Sequence, residues 1–371
     1  MRVLINGLNA NNRSGTGRYI NELAKALLTN TNDHEFLFIW PDNLAAPTAD
    51  CEAQLIRKPT AALSQLYYDH IGIDRIARDV NATIVHYPTG IGPRFSKNPF
   101  ILTVHDMCFF RHPQWFSRSR SLYYHYVMAA GIRAAAHILA DSQATAKDIM
   151  ELMNIPESRI DVVPLGVDEH FRPASEEQKR ALRETYHLPE QFFLFVGTLE
   201  PRKNLACLLQ AWRRVREQAP PMVITGRRGW GDSGVAGHET DRNLILLGHI
   251  PQEHLPALYS AATAFVWPSL MEGFGLPPLE AMACGAPVLT SNTSSLPEVA
   301  GDAAILVDPL SVDAIADAMR ALARNAELRE ELRKKGLQRA SYFRWRTTAE
   351  KTIKTYEKVA YGNKQVAHGN L

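Results

Sequence analysis

Four cysteines in 371 residues, Cys51, Cys108, Cys207 and Cys284, stand far apart with no C-x-x-C pair. That spacing argues against a zinc site, a redox motif or a disulfide framework, and it suits a reducing cytoplasm. An excess of either charge is missing too. Because 41 Lys and Arg face 39 Asp and Glu, no nucleic-acid partner is expected, and any charged partner must meet a local patch. No stretch reaches the ~18 uncharged apolar residues that a spanning helix requires. The nearest approach, Tyr126 to Ala140, is interrupted by Arg133 and His137, which leaves peripheral contact as the expected form of any membrane association. The opening Met1-Arg2-Val3-Leu4-Ile5-Asn6 turns polar after three apolar residues, so it reads as a buried strand rather than a leader. Absent also are an Asp-x-Asp pair and a His cluster with ligand spacing, so no metal is expected.

What is present is an alternation. With 46% hydrophobic residues the chain can build two sizeable cores. Short apolar runs at Val3 to Asn6, Phe36 to Trp40, Thr83 to His86, Ile101 to His105, Ile138 to Ala140 and Ile160 to Val163 predict strands separated by amphipathic segments. The pattern restarts at Phe192 to Val196, Met222 to Thr225, Leu244 to Leu247, Ala264 to Trp267, Pro287 to Thr290 and Ile305 to Val307. Strand and helix in this rhythm predict two parallel sheets of Rossmann type. A turn-rich stretch from Gly166 to Pro173 marks the expected hinge.

The most informative segment is Glu272-Gly273-Phe274-Gly275-Leu276-Pro277-Pro278-Leu279-Glu280. Its glycines permit positive φ and close approach of a ligand to the amides. Its prolines suit the first turn of a helix, whose N-terminus favours an anion, and Gly285 is the expected stop. A carboxylate accepts two hydroxyl hydrogen bonds well, so Glu272 and Glu280 are read as gripping different parts of one ligand. Spacing alone is weak, since among 39 acidic residues pairs eight apart arise by chance about four times. The plainer reading of Glu280 is a helix-start carboxylate.

With Pro268, Ser269, Glu280-Ala281-Met282-Ala283 and Gly285-Ala286-Pro287-Val288 around it, this segment resembles the nucleotide-sugar site of retaining glycosyltransferases of family 4. Other landmarks follow in order over nearly the whole chain. The resemblance implies the α/β GT-B architecture: two Rossmann-like domains facing across a cleft, residues 1–168 for the acceptor and 169–344 for the donor. A C-terminal helix of about 345–362 would cross back to the first domain.

In Gly197-Thr198-Leu199-Glu200-Pro201-Arg202-Lys203-Asn204 two cations follow a strand where a helix begins. Cations there oppose the helix dipole, which favours a ligand over a solvated helix start. By resemblance Arg202 and Lys203 steady the departing diphosphate, Thr198 and Asn204 border the donor, and Thr198 stands where many relatives carry Arg. His105-Asp106 ends a strand at the sheet's carboxyl edge, where cleft residues belong, although a lone His there is more often structural. The resemblance makes His105 a catalytic residue that orients the donor sugar, with Asp106 helping the imidazole.

The loop from Asn9 to Arg18 holds Gly15, Thr16 and Gly17, read as a phosphate contact or as a plain turn. By resemblance, the backbone of Gly248-His249-Ile250-Pro251, at Ile250, meets the nucleobase edge, Glu280 holds the ribose hydroxyls, and Glu272 with the amides of Gly273, Phe274, Gly275 and Leu276 orients the sugar. Thr225 to Trp230 either covers the base or is a solvated turn.

The whole implies a retaining, metal-independent hexosyltransferase with no cofactor beyond a nucleoside diphosphate sugar. GDP-mannose is the donor expected from likeness to bacterial O-antigen mannosyltransferases, with a UDP-hexose or GDP-rhamnose transferase, or a nucleotide-sugar epimerase of the GT-B group, as alternatives. The expected acceptor is a lipid-linked glycan at the inner membrane leaflet. Phe109 to Arg120, followed by Tyr123, Tyr124 and Tyr126, interleaves aromatics with cations. Such a segment suits either an anionic membrane surface or aromatic packing beneath exposed arginines.

Overall fold

The strands form because short β-branched and aromatic runs are buried on both faces. Phe193–Val196 reads Phe-Leu-Phe-Val and Ala264–Trp267 reads Ala-Phe-Val-Trp, the composition of a parallel sheet covered by helices on either side. A computed structural model describes residues 1–12, 15–29, 34–61, 64, 67–231, 241 and 243–367. In it β1 (Arg2–Asn6), β2 (Glu35–Pro41), β3 (Leu55–Lys58), β4 (Ile84–Tyr87), β5 (Phe100–Val104), β6 (His137–Ala140) and β7 (Ile160–Val162) form one sheet. Their order is β3-β2-β1-β4-β5-β6-β7. The second sheet holds β8 (Phe193–Val196), β9 (Met222–Thr225), β10 (Leu244–Gly248), β11 (Ala264–Trp267), β12 (Val288–Ser291) and β13 (Ala304–Val307). Here the order is β10-β9-β8-β11-β12-β13, and all pairings in both sheets are parallel.

Each order reverses once, between β1 and β4 in the first sheet and between β8 and β11 in the second. Such switch points open crevices outside the carboxyl ends of the strands, where ligands of doubly wound sheets bind. The chain divides into Met1–Gly166 with Arg344–Leu371, and Val167–Phe343. The boundaries thus lie two residues and one residue before the expected 168/169 and 344/345.

β3 is missing from the sequence expectation. Its Leu-Ile-Arg-Lys is half cationic and only partly buried at the sheet edge, so it lacks the unbroken apolar run that marks the inner strands. The last helix, Trp345–Ala367, runs past its expected end near residue 362. It packs on the first unit: Thr348 Oγ1 donates to the Pro164 carbonyl at 2.8 Å, Thr355 Oγ1 donates to Asp161 at 2.8 Å, and the Tyr356 hydroxyl meets His86 Nδ1 at 2.7 Å.

Candidate functional site

In the second unit the loops leaving β8 and β11 carry the charged residues, and backbone groups stitch them together. Leu270 N–H donates to the Arg202 carbonyl at 2.8 Å, and Ser269 Oγ donates to the same carbonyl at 3.0 Å. Asn204, in the left-handed conformation at φ 60°, donates its amide to the carbonyls of Pro268 at 3.0 Å and Pro309 at 2.6 Å. The Asn204 side chain therefore acts on the scaffold. Thr198 is exposed at the end of β8, while the Ile250 side chain is buried after β10.

Lys203, Arg202 and Glu272 are brought into one cluster. Lys203 Nζ lies 2.5 Å from Glu272 Oε1, Arg202 Nη1 lies 2.8 Å from Oε2, and Arg202 Nε pairs with buried Glu200. The Lys203 ammonium also sits 4.6 Å from the Trp267 ring centroid, a cation–π contact that orients it further. The sequence reading gave Glu272 to the sugar and the cations to the diphosphate. In the structure the carboxylate is first of all their counter-ion, and a diphosphate must compete with it or share them.

Burial alone would raise the Glu272 carboxyl, but Arg202 and Lys203 outweigh it and hold it at about 2. Lys203 moves downward as well, through burial and the neighbouring Arg202 charge, against the pull of Glu272 and Glu200. Burial works against the charged form of both partners, and the neighbouring charges decide how far each yields. Glu272 faces two cations, whereas Lys203 faces a cation as well as its carboxylates.

A pH test follows. Since Glu272 titrates at about 2 when folded against 4.5 in isolation, the unfolded chain binds more protons between those values. The resulting stabilisation, about 3 kcal/mol, is complete above the unfolded value and is lost as pH falls through the folded one. Urea unfolding at about pH 5 and about pH 3 should show this loss in the native protein, while Glu272→Gln should lack that part of the slope. Equal slopes would mean that the carboxylate is not held down.

Of the two glycines in the loop, Gly275 takes the positive φ that the sequence permits and Gly273 does not. Gly275 takes φ 116° and starts the helix Leu276–Ala283, a conformation that would strain any residue with a Cβ. Pro277 and Pro278 lack N–H groups, so of the first three helical residues only Leu276 brings a backbone N–H to the helix N-terminus. Phe274 is buried and packs edge-on against Phe343, centroids 5.7 Å apart. Glu280 lies in the second helical turn, buried, and accepts the Tyr259 hydroxyl at 3.1 Å. The helix-start reading of Glu280 is therefore set aside.

A hydroxyl-rich run leaving β12 braces this loop. Glu272 N–H donates to Ser294 Oγ at 3.0 Å, and buried Ser295 Oγ lies 2.9 Å and 2.7 Å from the carbonyls of Glu272 and Phe274. The sequence analysis missed these serines. Their signal is a Ser/Thr cluster, Thr290 to Ser295, at the carboxyl end of the strand paired with β11.

In the first unit His105 follows β5 and Asp141 follows β6, and the register pairs Val104 with Ala140. The two side chains thus leave adjacent strands side by side. His105 Nδ1 donates to Asp141 Oδ2 at 2.7 Å and Nε2 donates to the Pro88 carbonyl at 3.0 Å. Both partners are acceptors, which favours the doubly protonated ring. Burial would lower the imidazole, but Asp141 outweighs it and raises it; burial in turn raises Asp141 against the imidazole.

Asp141 thus takes the place expected of Asp106. The Asp106 carboxylate instead accepts the Cys108 N–H at 2.9 Å, because it sits two residues before the start of the helix Cys108–Arg111. Beneath His105, Tyr19 meets the ring edge-on at 4.9 Å. A buried chain continues from the Tyr19 hydroxyl to Thr103 at 3.1 Å, to His86 at 2.8 Å and to Tyr356. Burial, then His105, push His86 down to about 3, so this chain is neutral.

Gly15, Thr16 and Gly17 do not lie in a loop: they are the first residues of the helix Gly15–Thr29. A Cβ on Gly17 would stand 1.7 Å from the Asn12 carbonyl oxygen, so the incoming chain closes directly on the helix and admits only glycine. Arg13 and Ser14 lie outside the described residues. In the aromatic segment Phe109 stacks on Phe116 at 4.1 Å and on Tyr124 at 4.2 Å, while Arg111 pairs with Asp148 and Glu151. Among the described residues no group of three or more His, Cys, Asp or Glu side chains could hold a metal ion, and no helix is long and apolar enough to cross a membrane.

Comparison with known proteins extends the picture. Residues 178–339 match the family model described as glycosyl transferases group 1, and residues 13–171 match that described as glycosyltransferase family 4. The sequence is 36% identical to O-antigen chain mannosyltransferase B of Escherichia coli over 76% of this chain and 75% of that protein. It is 33% identical to the serotype-specific mannosyltransferase WbdA of Escherichia coli over 65% of this chain, a match spanning 31% of that longer protein. Sucrose-phosphate synthase from Thermosynechococcus elongatus shares the fold, with a TM-score of 0.76 at 19% identity over 97% of this chain and 99% of that one.

Proposed function

This chain belongs to glycosyltransferase family 4, with the two Rossmann-like units of the GT-B fold, and from that premise we propose that it transfers mannose from GDP-mannose to a hydroxyl of a lipid-linked glycan. The observation that carries this reading is the Arg202–Lys203–Glu272 cluster at the β8/β11 switch point, with buried Glu280 in the adjoining helix. Mannose is supported by the similarity to O-antigen chain mannosyltransferase B. The reaction proceeds with retention and without metal or further cofactor, at the cytoplasmic face of the membrane.

In the proposed reaction Glu280 accepts the ribose hydroxyls, and the amides from Gly273 to Leu276 meet the diphosphate and sugar. Lys203 and Arg202 take the negative charge that develops as the anomeric C–O bond breaks. The acceptor hydroxyl forms the new C–O bond on the same face, and its proton passes to the departing phosphate oxygen. His105, held by Asp141, orients the sugar; binding a hydroxyl through Nε2 requires releasing the Pro88 carbonyl.

Incubation with GDP-mannose, GDP-rhamnose and UDP-hexoses in EDTA, with a lipid-linked glycan acceptor, tests the proposal. Expected is an α-mannosyl product from GDP-mannose alone. A β-linked product would refute retention, a UDP-derived product would move the donor, and conversion of the donor without acceptor would indicate epimerisation.

A further inference from the structure

The switch point of the first sheet lies between β1 and β4, and both strands end there in polar side chains. The register pairs Ile5 with His86, so Asn6 and Tyr87 leave the two strands side by side. Asn6 is fully buried and its amide is oriented: Oδ1 accepts the Leu8 N–H at 3.2 Å, and Nδ2 donates to Asp69 Oδ1 at 2.7 Å. Asp69 is only 5% exposed and Tyr87 only 1%. Among the described residues no hydrogen bond or ion pair reaches Asp69 Oδ2 or the Tyr87 hydroxyl.

Asp69 reaches this point from a π-helical turn, Tyr68–Gly72, that runs into the helix Ile73–Asp79, a geometry that recurs at functional sites. Gly72 makes room for it, since a Cβ there would stand 2.5 Å from the Tyr68 ring and 2.6 Å from the Tyr67 ring. Burial pushes the Asp69 carboxyl up to about 6, and the Asn6 amide offsets this only in part. Burial also raises Tyr87, with Asp74 and Asp69 adding to it, and raises Tyr123, with Tyr124 and Asp69 adding to it. Both phenols thus stand in the field of the Asp69 carboxylate, and Tyr123 is 42% exposed. A buried carboxylate with one hydrogen bond weakens the fold relative to a neutral side chain, so its place here points to a ligand.

We propose that Asp69, Tyr87 and Tyr123 receive the terminal sugar of the acceptor, with Asp69 Oδ2 accepting one ring hydroxyl, the Tyr87 hydroxyl bonding a neighbouring one, and the apolar face of the pyranose resting on Tyr123. Asn6 is the positioning residue that fixes the carboxylate. The chemistry selects a neutral saccharide. A phosphate would be repelled by Asp69, whereas sugar hydroxyls donate to a carboxylate and both donate to and accept from a phenol. The inference rests on the reading that the chain glycosylates a glycan hydroxyl, and it names the side chains that hold that glycan.

Two measurements on the full-length protein test it. Saturation-transfer NMR without nucleotide, using the methyl α-glycosides of mannose, galactose, N-acetylglucosamine and rhamnose, should show binding of at least one, lost in Asp69→Asn. In steady-state transfer at saturating GDP-mannose, Asp69→Asn should raise the KM for the lipid-linked glycan about tenfold and Tyr87→Phe about fivefold. Tyr123→Ala should raise it about threefold and Tyr123→Phe should restore it, with the Kd for GDP unchanged in all four. Asp69→Asn should melt no earlier than the parent at neutral pH, because an amide can keep the Asn6 bond and need not be ionised. A carboxylate that serves only the fold gives the reverse, an earlier melt with glycoside binding intact. That result, or no binding of any of the four glycosides, would overturn the proposal. Glycoside binding through Asp69 without transfer from GDP-mannose would keep the subsite and remove the mannosyl-transfer reading; transfer with an acceptor KM untouched by Asp69→Asn and Tyr87→Phe would remove the subsite alone.

Discussion

Lys203→Ala is expected to lower kcat for sugar transfer by about a hundred- to a thousandfold while weakening nucleotide binding by less than about tenfold. The ammonium is buried, fixed by Glu272 at 2.5 Å and by the Trp267 ring, and needs no reorganisation when charge develops on the leaving phosphate. Such preorganised charge acts more on the transition state than on the bound ground state. Arg202 still faces Glu272 in the variant, so the carboxylate is not stranded, and the fold should lose only about 1–3 kcal/mol. Arg202→Lys is the companion variant, because a lysine cannot span Glu200 and Glu272 as the guanidinium fork does. Steady-state kinetics with a calorimetric Kd and a thermal melt for each variant separate the effects. Equal losses in kcat and affinity would make Lys203 a plain binding residue; unchanged kinetics would remove it from the site.

Glu280→Ala should act the other way. Two hydroxyl-to-carboxylate hydrogen bonds lost on the ribose amount to about 3 kcal/mol, so the Kd for nucleoside diphosphate should rise about a hundredfold, with kcat at saturation changed far less. The competing reading is that Glu280 serves only to pair with Tyr259, from which it accepts at 3.1 Å. Tyr259→Phe distinguishes the two, since it removes that bond and keeps the carboxylate. If Glu280 serves the fold alone, both variants melt early and neither loses affinity.

Much of this was legible in the sequence because burial on both faces leaves an unmistakable mark. The inner strands show as unbroken apolar runs, and Gly275, Pro277 and Gly285 announce a helix start and stop that the structure places at Leu276 and Ala283. Edge strand β3 had no such mark. Pairings across the chain were harder to see. Asp106 stands next to His105 in sequence, yet the imidazole partner is Asp141, because adjacent parallel strands bring their first exit residues together, a fact that lives in the register of β5 and β6.

The role of Glu272 as counter-ion to Arg202 and Lys203 depends on β8 and β11 being neighbours. The bracing by Ser294 and Ser295 depends in the same way on β11 and β12. Strand order is not written in any local pattern. Gly17 shows the reverse limit: its lack of a side chain suggests flexibility, whereas the structure uses it for one close approach inside a helix.

The central claim is that the loops after β8 and β11, with the helix Leu276–Ala283, hold a nucleoside diphosphate by cations, amides and a buried carboxylate. Isothermal titration of the purified protein with GDP, UDP, ADP and NAD in EDTA tests it most directly. The expected result is selective binding of GDP. Binding of NAD alone, or of none of the diphosphates, would contradict the claim.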